Sequence, residues 1–413
     1  MVVGQHLGVQ ALAALGTADW TAWMITGIAQ GFAQGFSILM AQHFGAGKID
    51  KLRKTVANAV ILTAICAVLL LFASEACIPL LLRLLQVPTE IHTLATTYLR
   101  ILFAGVPVVM AYNLLASILR SLGDSKNPLY AMIIASVVNI VLDILFVMVF
   151  EMGIGGAALG TIIAQTFSAI YCLFKIRKIS MLKLRKSDWK LEWTLSAKLM
   201  YLGLPMAFMN TLISVGGMIV TTVVNGFGVI FIAGFTATNK LYCLLEVAAV
   251  SFGYAMATFA GQNLGANRLD RVKKGTKMAL LIAMITSVMI AAAMLLFGKL
   301  ILGCFISTNA DGAQEALRIA FYYLSVMSVF LPILYVLHIL RSSIQGMGNT
   351  LLPMLSGIAE FIMRCIAALT LPALLGETGV FFAEICAWVG ADVVLIASYF
   401  YVIRKVQRRM ENL

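Results

Sequence analysis

Eleven stretches of this chain run for about twenty residues or more with few charges, at 12–38, 55–82, 94–118, 129–149, 154–174, 195–224, 229–258, 276–302, 317–340, 352–373 and 378–403. A run of that length crosses the hydrocarbon layer as a helix. Inside lipid a segment must satisfy its own backbone N–H and C=O groups, which a helix does and an isolated strand cannot. The expected fold class is an all-α polytopic membrane protein. Composition agrees, with 61% hydrophobic and 12% charged residues where soluble domains carry about a quarter charged. So few charges cannot keep a large water-exposed surface wet.

The net charge of +12 reads as topology. Twenty-four of the thirty Lys and Arg fall at alternate span ends: Lys48 to Lys54, Arg120 and Lys126, eight between Lys175 and Lys198, five between Arg268 and Lys277, Arg341, and four from Arg404 to Arg409. Arg83, Arg100, Lys240, Lys299, Arg318 and Arg364 make up the rest. Such a bias places the basic ends in the cytoplasm beside anionic headgroups, and no nucleic acid is needed to explain it. The chain is expected to be a multi-pass protein of the cell's inner (plasma) membrane with a cytoplasmic C-terminus. No basic leader with a small-residue cleavage site opens it, so no segment is set aside as a signal peptide. The cysteines at 66, 77, 172, 243, 304, 365 and 386 form no CxxC pair and read as small buried hydrophobes. The histidines at 6, 43, 92 and 338 never pair at zinc-ligand spacing.

The chain repeats itself. AQHFGAGKIDKLRK at 41–54 returns as GQNLGANRLDRVKK at 261–274, an offset of 220, and LGDSKNP at 122–128 meets MGNTLLP at 347–353, an offset of 225. The basic loops of both halves lie on one side, so the halves run parallel and are related by an axis along the membrane normal. The division expected is a first lobe over 1–174, a basic cytoplasmic linker over 175–194 and a second lobe over 195–413. The partner of span 195–224 would lie before residue 1, so the first lobe is expected to hold five helices against six, through a late start or a shortened chain. Gly45 and Gly265 are expected to end their helices in a left-handed cap, and Asp50 and Asp270 to cap the next ones. GAGK at 45–48 lacks the spacing and the Ser or Thr of a phosphate-binding loop.

VVGQHLGVQALAALG at 2–16, the paired AQHFGAG and GQNLGAN loops, RSLGDSKNP at 120–128, and NIVLD with MGIGGAALGTIIAQ between 139 and 165 together resemble the multidrug and toxic compound extrusion (MATE) transporters, most closely the bacterial members. The resemblance covers essentially the whole chain. It implies two six-helix lobes facing each other as a V, and alternating-access export of organic cations or other amphiphiles in exchange for Na⁺ or H⁺. It implies a secondary transporter and no enzyme, with small amphiphilic substrates and membrane lipids as partners, no obligate protein partner, and no cofactor beyond the coupling ion. The alternative is a flippase or exporter of a lipid-linked molecule. A nucleophile and base set or a metal motif, which an enzyme would need, is not found.

Ionisable and amide side chains inside apolar spans are costly, so each needs an account. Asn139 and Asp143 stand four apart on one helix face, with Thr161 on the next span. An amide, a carboxylate and a hydroxyl facing one interhelical space make an oxygen-rich Na⁺ site, a protonatable carboxylate, or a purely structural polar tie. The family resemblance places a cation site at these three positions. It also implies an Asp just before Val2 to Gly4, which this chain does not include. In the second half Glu246, Glu360, Arg364 and Asp392 lie within spans. Glu360 and Arg364 are spaced for an ion pair, while Glu246 is a candidate for cation or substrate contact. Asn210 stands where some members carry a cation-binding Glu. Lys240 either neutralises a carboxylate or snorkels to the interface. Asp19, Gln34, Tyr112 and Asn113 are further candidates for cavity lining. Pro107, Pro205 and Pro332 are candidate hinges.

Overall fold

The computed structural model describes residues 8–84, 87, 89–303 and 312–412. Its long elements are twelve helices: α1 Gly8–Gly45, α2 Ile49–Leu84, α3 Thr89–Ala104, α4 Val106–Ser121, α5 Lys126–Asp143, α6 Gly153–Arg177, α7 Trp193–Asn225, α8 Val229–Gly265, α9 Leu269–Gly303, α10 Ala313–Gly346, α11 Leu351–Leu375 and α12 Phe382–Glu411. Ten helical segments are each long and apolar enough to cross a membrane. The pair α3 and α4 qualifies only together, bent by 45°, and counting it as one span gives eleven. That break falls at Gly105, where a Cβ would lie 2.5 Å from the Ile162 side chain. Pro107 follows in the first turn of α4, where its missing N–H leaves nothing unsatisfied. Pro205 and Pro332 lie inside helices that continue through them.

Helix lengths follow the repeat. α1 and α8 have 38 and 37 residues, α2 and α9 have 36 and 35. At about 1.5 Å per residue each exceeds 50 Å, roughly 20 Å more than the hydrocarbon needs. Their ends therefore reach the headgroups, which is where the basic loops begin.

The turns repeat bond for bond. After α1 the N–H of Gly47 donates to Phe44 O (3.0 Å) and that of Lys48 to His43 O (3.0 Å); after α8, Asn267 donates to Leu264 O (3.0 Å) and Arg268 to Asn263 O (2.8 Å). After α4, Gly123 donates to Arg120 O (2.8 Å) and Asp124 to Leu119 O (3.0 Å); after α10, Gly348 donates to Gln345 O (2.8 Å) and Asn349 to Ile344 O (3.3 Å). All four are Schellman endings. The left-handed residues are Gly47, Asn267, Gly123 and Gly348, with φ of 66°, 57°, 88° and 85°. This corrects the expectation for Gly45 and Gly265, which are still helical: the left-handed residue comes two positions later, at Gly47 and Asn267, both of them types that accept positive φ. Asp50 and Asp270 lie in the first turns of α2 and α9 instead of before them. There they favour the positive helix end and pair with Arg53 and Arg268.

The chain divides into two compact units, Met1–Ser214 and Val215–Leu413, the division falling within α7. In the first unit Phe36, Leu39, Met40, Leu99 and Phe103 are buried together. There α1 and the first part of α7 touch backbone to backbone, since a Cβ on Gly35 would lie 2.4 Å from the Gly203 Cα. In the second unit Phe235, Tyr323 and Phe381 stack in sequence, their centroids 4.8 and 4.6 Å apart. Outer faces carry Phe72, Leu296 and Leu300 at 68%, 76% and 75% exposure, the inside-out pattern of a lipid-solvated surface. The cysteines are partly a correction. Among the described residues Cys172 is buried, but Cys77 and Cys243 are exposed on apolar spans, where lipid tolerates a thiol as well as a core does. Cys304, His6 and the Val2 to Gly4 motif lie outside the described residues.

The basic segment after α6 is docked. It forms short 3₁₀ turns at Ser180–Leu182 and Lys186–Trp189 and is held to α2. Lys54 Nζ meets Glu192 Oε1 at 2.6 Å and Arg53 Nε lies 3.6 Å from Asp188 Oδ2. Buried Asn58 donates to Lys190 O (3.3 Å) and accepts from the Glu192 N–H (3.0 Å) and Ser196 Oγ (3.1 Å).

A left-handed backbone costs a branched residue about 1–2 kcal/mol. Gly47→Val is therefore expected to lower the thermal midpoint in detergent, while Asn267→Gly holds or raises it. A Gly47→Val protein melting with wild type would show that this turn is not left-handed.

Candidate functional site

Small residues bring α5 and α6 together. A Cβ on Gly156 would lie 3.0 Å from Phe146 Cβ, and one on Gly160 only 2.9 Å from Asp143 Oδ1. Further along, Ser168 Oγ donates to Ala131 O at 2.8 Å. This small-residue stripe lets polar groups of the two helices meet. Asn139 Nδ2 donates to Asp143 Oδ1 at 3.3 Å and to Thr161 Oγ1 at 3.4 Å, and the Thr161 hydroxyl donates to Ala157 O at 3.1 Å. All three side chains are half-buried. Directly after Asp143 the helix widens into a π-helical segment, Ile144–Val149, a distortion common at functional sites.

The chemistry follows from donor bookkeeping. With no cation the Asn139 amide offers its NH₂ to the carboxylate and the hydroxyl. Half a turn of the amide about its last torsion presents Oδ1 instead, so carboxylate, amide and hydroxyl oxygens then face one point. The Thr161 proton is already engaged by Ala157, which leaves a lone pair for that role. Hard oxygen donors of this kind suit Na⁺, and the carboxylate alone suits a proton.

A second polar cluster lies in the second unit. Arg341 Nη2 meets Glu360 Oε2 at 2.6 Å, Arg364 Nη2 meets Glu360 Oε1 at 3.0 Å and Glu384 Oε2 at 2.7 Å. The i,i+4 pair expected of Glu360 and Arg364 is thus present within a four-residue chain. Arg341 is 5% exposed, which corrects its assignment to a headgroup loop: a cation near a helix end turns inward when a buried carboxylate waits there. Glu384 and His338 were not anticipated. The signal for both was an ionisable residue inside an apolar run. Glu246 Oε1 lies 3.9 Å from His338 Nε2. Asp392 is buried, and its Oδ1 has no hydrogen-bond partner among the described residues.

Asn210 and Asn113 bond elsewhere than in these clusters. Asn210 Nδ2 donates to Gly27 O at 2.8 Å, tying α7 to α1. Asn113 Nδ2 bonds back to Val109 O at 2.9 Å within its own helix. Gln34 and Tyr112 are half-buried, Lys240 is exposed, and the Asp19 side chain lies outside the described residues.

The MatE family model matches the chain twice, over residues 1–145 and again over 205–370. The chain belongs to the MATE family. Family members are secondary transporters and not enzymes, and the double match repeats the duplication seen in the turns. The chain is 29% identical over 379 residues to the probable multidrug resistance protein YpnP of Bacillus subtilis, covering 92% of this chain and 84% of that one. It is 23% identical over 356 residues to the probable multidrug resistance protein NorM of Thermotoga maritima, covering 85% and 75%. The fold matches that of an outward-facing multidrug resistance MATE transporter with a TM-score of 0.89 at 21% identity, covering 100% of this chain and 91% of that one. It also matches a MOP superfamily transporter from Pyrococcus furiosus with a TM-score of 0.88 at 22% identity, covering 98% and 90%. The structural neighbours are two-lobed MATE transporters, and this chain is an all-α, multi-pass membrane protein of that fold.

Two substitutions probe the clusters as structure. Gly160→Ala drives a methyl against the Asp143 carboxylate, an overpacking expected to cost about 1–3 kcal/mol. Glu360→Gln removes the ionic partner of buried Arg341 and one of the two partners of buried Arg364, and is expected to cost about 3–5 kcal/mol. Thermal unfolding in detergent reads both, and an unchanged midpoint for Glu360→Gln would deny the ion network.

Proposed function

We propose that this chain exports small amphiphilic or cationic molecules from the cell by alternating access, exchanging each for a Na⁺ or H⁺ taken up at Asn139, Asp143 and Thr161. The observation that carries this reading is the convergence of three oxygen-bearing side chains from α5 and α6 around a half-buried carboxylate. The multidrug names of its relatives support the substrate class. The excess of basic residues at alternate span ends supports a plasma-membrane orientation with the C-terminus in the cytoplasm. The lobes proposed as the moving parts are 1–174 and 195–413, joined by the basic linker.

Coupling requires that ion and substrate favour different states, since a ligand with equal affinity for both shifts nothing. Asp143 supplies the difference: among the described residues no cation pairs with it, so the ion-free and ion-bound proteins prefer different surroundings for it. A tenfold ion gradient is worth about 1.4 kcal/mol and 100 mV about 2.3 kcal/mol per charge. One Na⁺ or H⁺ exchanged for one monovalent organic cation moves no net charge, so only the concentration gradient drives that exchange.

The test uses purified protein in vesicles with an imposed Na⁺ or pH gradient and ethidium as substrate. Wild type is expected to drive ethidium against its gradient, to an accumulation unaffected by a valinomycin-clamped potential. Asp143→Asn is expected to lose the ion-driven component at least about tenfold, and Thr161→Val to weaken the apparent ion affinity. Undiminished ion-driven transport by Asp143→Asn would sink this assignment.

A further inference from the structure

Helices α5 and α11 begin at Lys126 and Leu351, 225 residues apart, after turns with the same hydrogen bonds and the same side-chain lock. Asp124 Oδ1 accepts from the Asn127 N–H at 3.0 Å, and Asn349 Oδ1 accepts from the Leu352 N–H at 3.1 Å. Carried along both helices, this register sets Arg364 at the position of Asn139, Glu360 at that of Ala135 and Ala368 at that of Asp143. Asn139 reaches the following helix, α6, at Thr161; Arg364 reaches its following helix, α12, at Glu384. At corresponding places the first unit therefore holds an amide, a carboxylate and a hydroxyl. The second unit holds two carboxylates with a guanidinium lodged between them.

We propose that Arg364 is a tethered cation filling a second cation site, the counterpart of the Asn139–Asp143–Thr161 site. The inference rests on the cation reading of that first site. Three features support it. Arg364 is 4% exposed and its contacts are charge-assisted bonds of 3.0 and 2.7 Å, which no exchangeable ion displaces readily. Glu360 has a second partner in Arg341 at 2.6 Å, so the four groups sum to zero charge. Gly216 leaves room for the guanidinium, since a Cβ there would lie 3.0 Å from Arg364 Nη1. The second half of the repeat thus carries its cation permanently, and the first half alone exchanges one. Cutting the tether should leave a site for a free monovalent cation, planar guanidinium above all.

The experiment is thermal unfolding of purified Arg364→Ala in the Asp143→Asn background, so that the first site contributes nothing. Salt is choline chloride, guanidinium chloride or NaCl at equal millimolar concentration. Arg364→Ala is expected to melt well below its Asp143→Asn parent in choline, and guanidinium to restore most of the loss saturably while leaving the parent unmoved. Arg364→Lys, which keeps a tethered charge, should melt close to the parent in choline. A loss that guanidinium does not restore overturns the proposal, as does an alanine variant that melts with its parent. If the alanine variant does not fold, Arg364→Gln gives the same decision: Na⁺ in place of choline raises its midpoint if the site takes a cation and leaves it unchanged if Arg364 only packs. Failure of the first-site reading appears elsewhere, in ethidium transport by Asp143→Asn, which this melting measurement does not use.

Discussion

A backbone N–H or C=O left unpaired in hydrocarbon costs several kcal/mol, and everything else in this molecule is arranged around that penalty. Departures from regular helix are therefore confined to the ends of spans or to places where a neighbouring helix covers them. The break between α3 and α4 is backed by Ile162 of α6, against which Gly105 is pressed. The widened segment after Asp143 lies where α6 presents Gly156 and Gly160. After α1, α4, α8 and α10 the chain reverses in Schellman turns that return the last free carbonyls to donors. Duplication makes this economical, since one solution for a helix ending serves twice.

The same low dielectric that punishes bare backbone separates two ways of keeping a charge. In the second unit two arginines and two glutamates satisfy one another at 2.6 to 3.0 Å. Burial there is tolerable because the charges cancel, and the bonds are strong because solvent is excluded. In the first unit the hydrogen-bond partner of Asp143 among the described residues is an amide at 3.3 Å, and the carboxylate remains half-buried. Its partner is neutral, its bonds are long and the amide can turn over. Strong, charge-matched contacts hold helices in one arrangement; under the proposed function, the longer and neutral contacts around Asp143 are what leave a place for a mobile ion. A transporter needs both, a rigid body to move and a charge state that changes.

Much of the site was legible because its spacing is local. Asn139 and Asp143, like Glu360 and Arg364, are one helical turn apart, and four-residue spacing puts side chains on one face whatever the tertiary structure. Thr161 could be assigned only through the family resemblance, and α6 does place it against Asn139. Arg341, Glu384 and His338 escaped because their partners lie 19, 20 and 92 residues away, and hydropathy along a span does not say which face meets which neighbour. The left-handed caps were misplaced by two residues for a related reason. Gly45 and Gly265 accept positive φ as readily as Gly47 and Asn267 do, so residue type at the turn did not say how far the helix runs.

By itself the sequence determined the number of spans, their helical character and their duplication. Hydrophobic length and turn chemistry act within a few residues of themselves, so they need no partner to be read. Tertiary structure decided which charges meet. Arg341 turned from the headgroups into the second unit, and Arg364 found Glu384 as well as Glu360. Asn210, 183 residues from Gly27, became a tie between α7 and α1. The reason is electrostatic: the free energy of a charge in a membrane depends on what lies within a few ångströms, and helix packing brings distant parts of the chain within that reach.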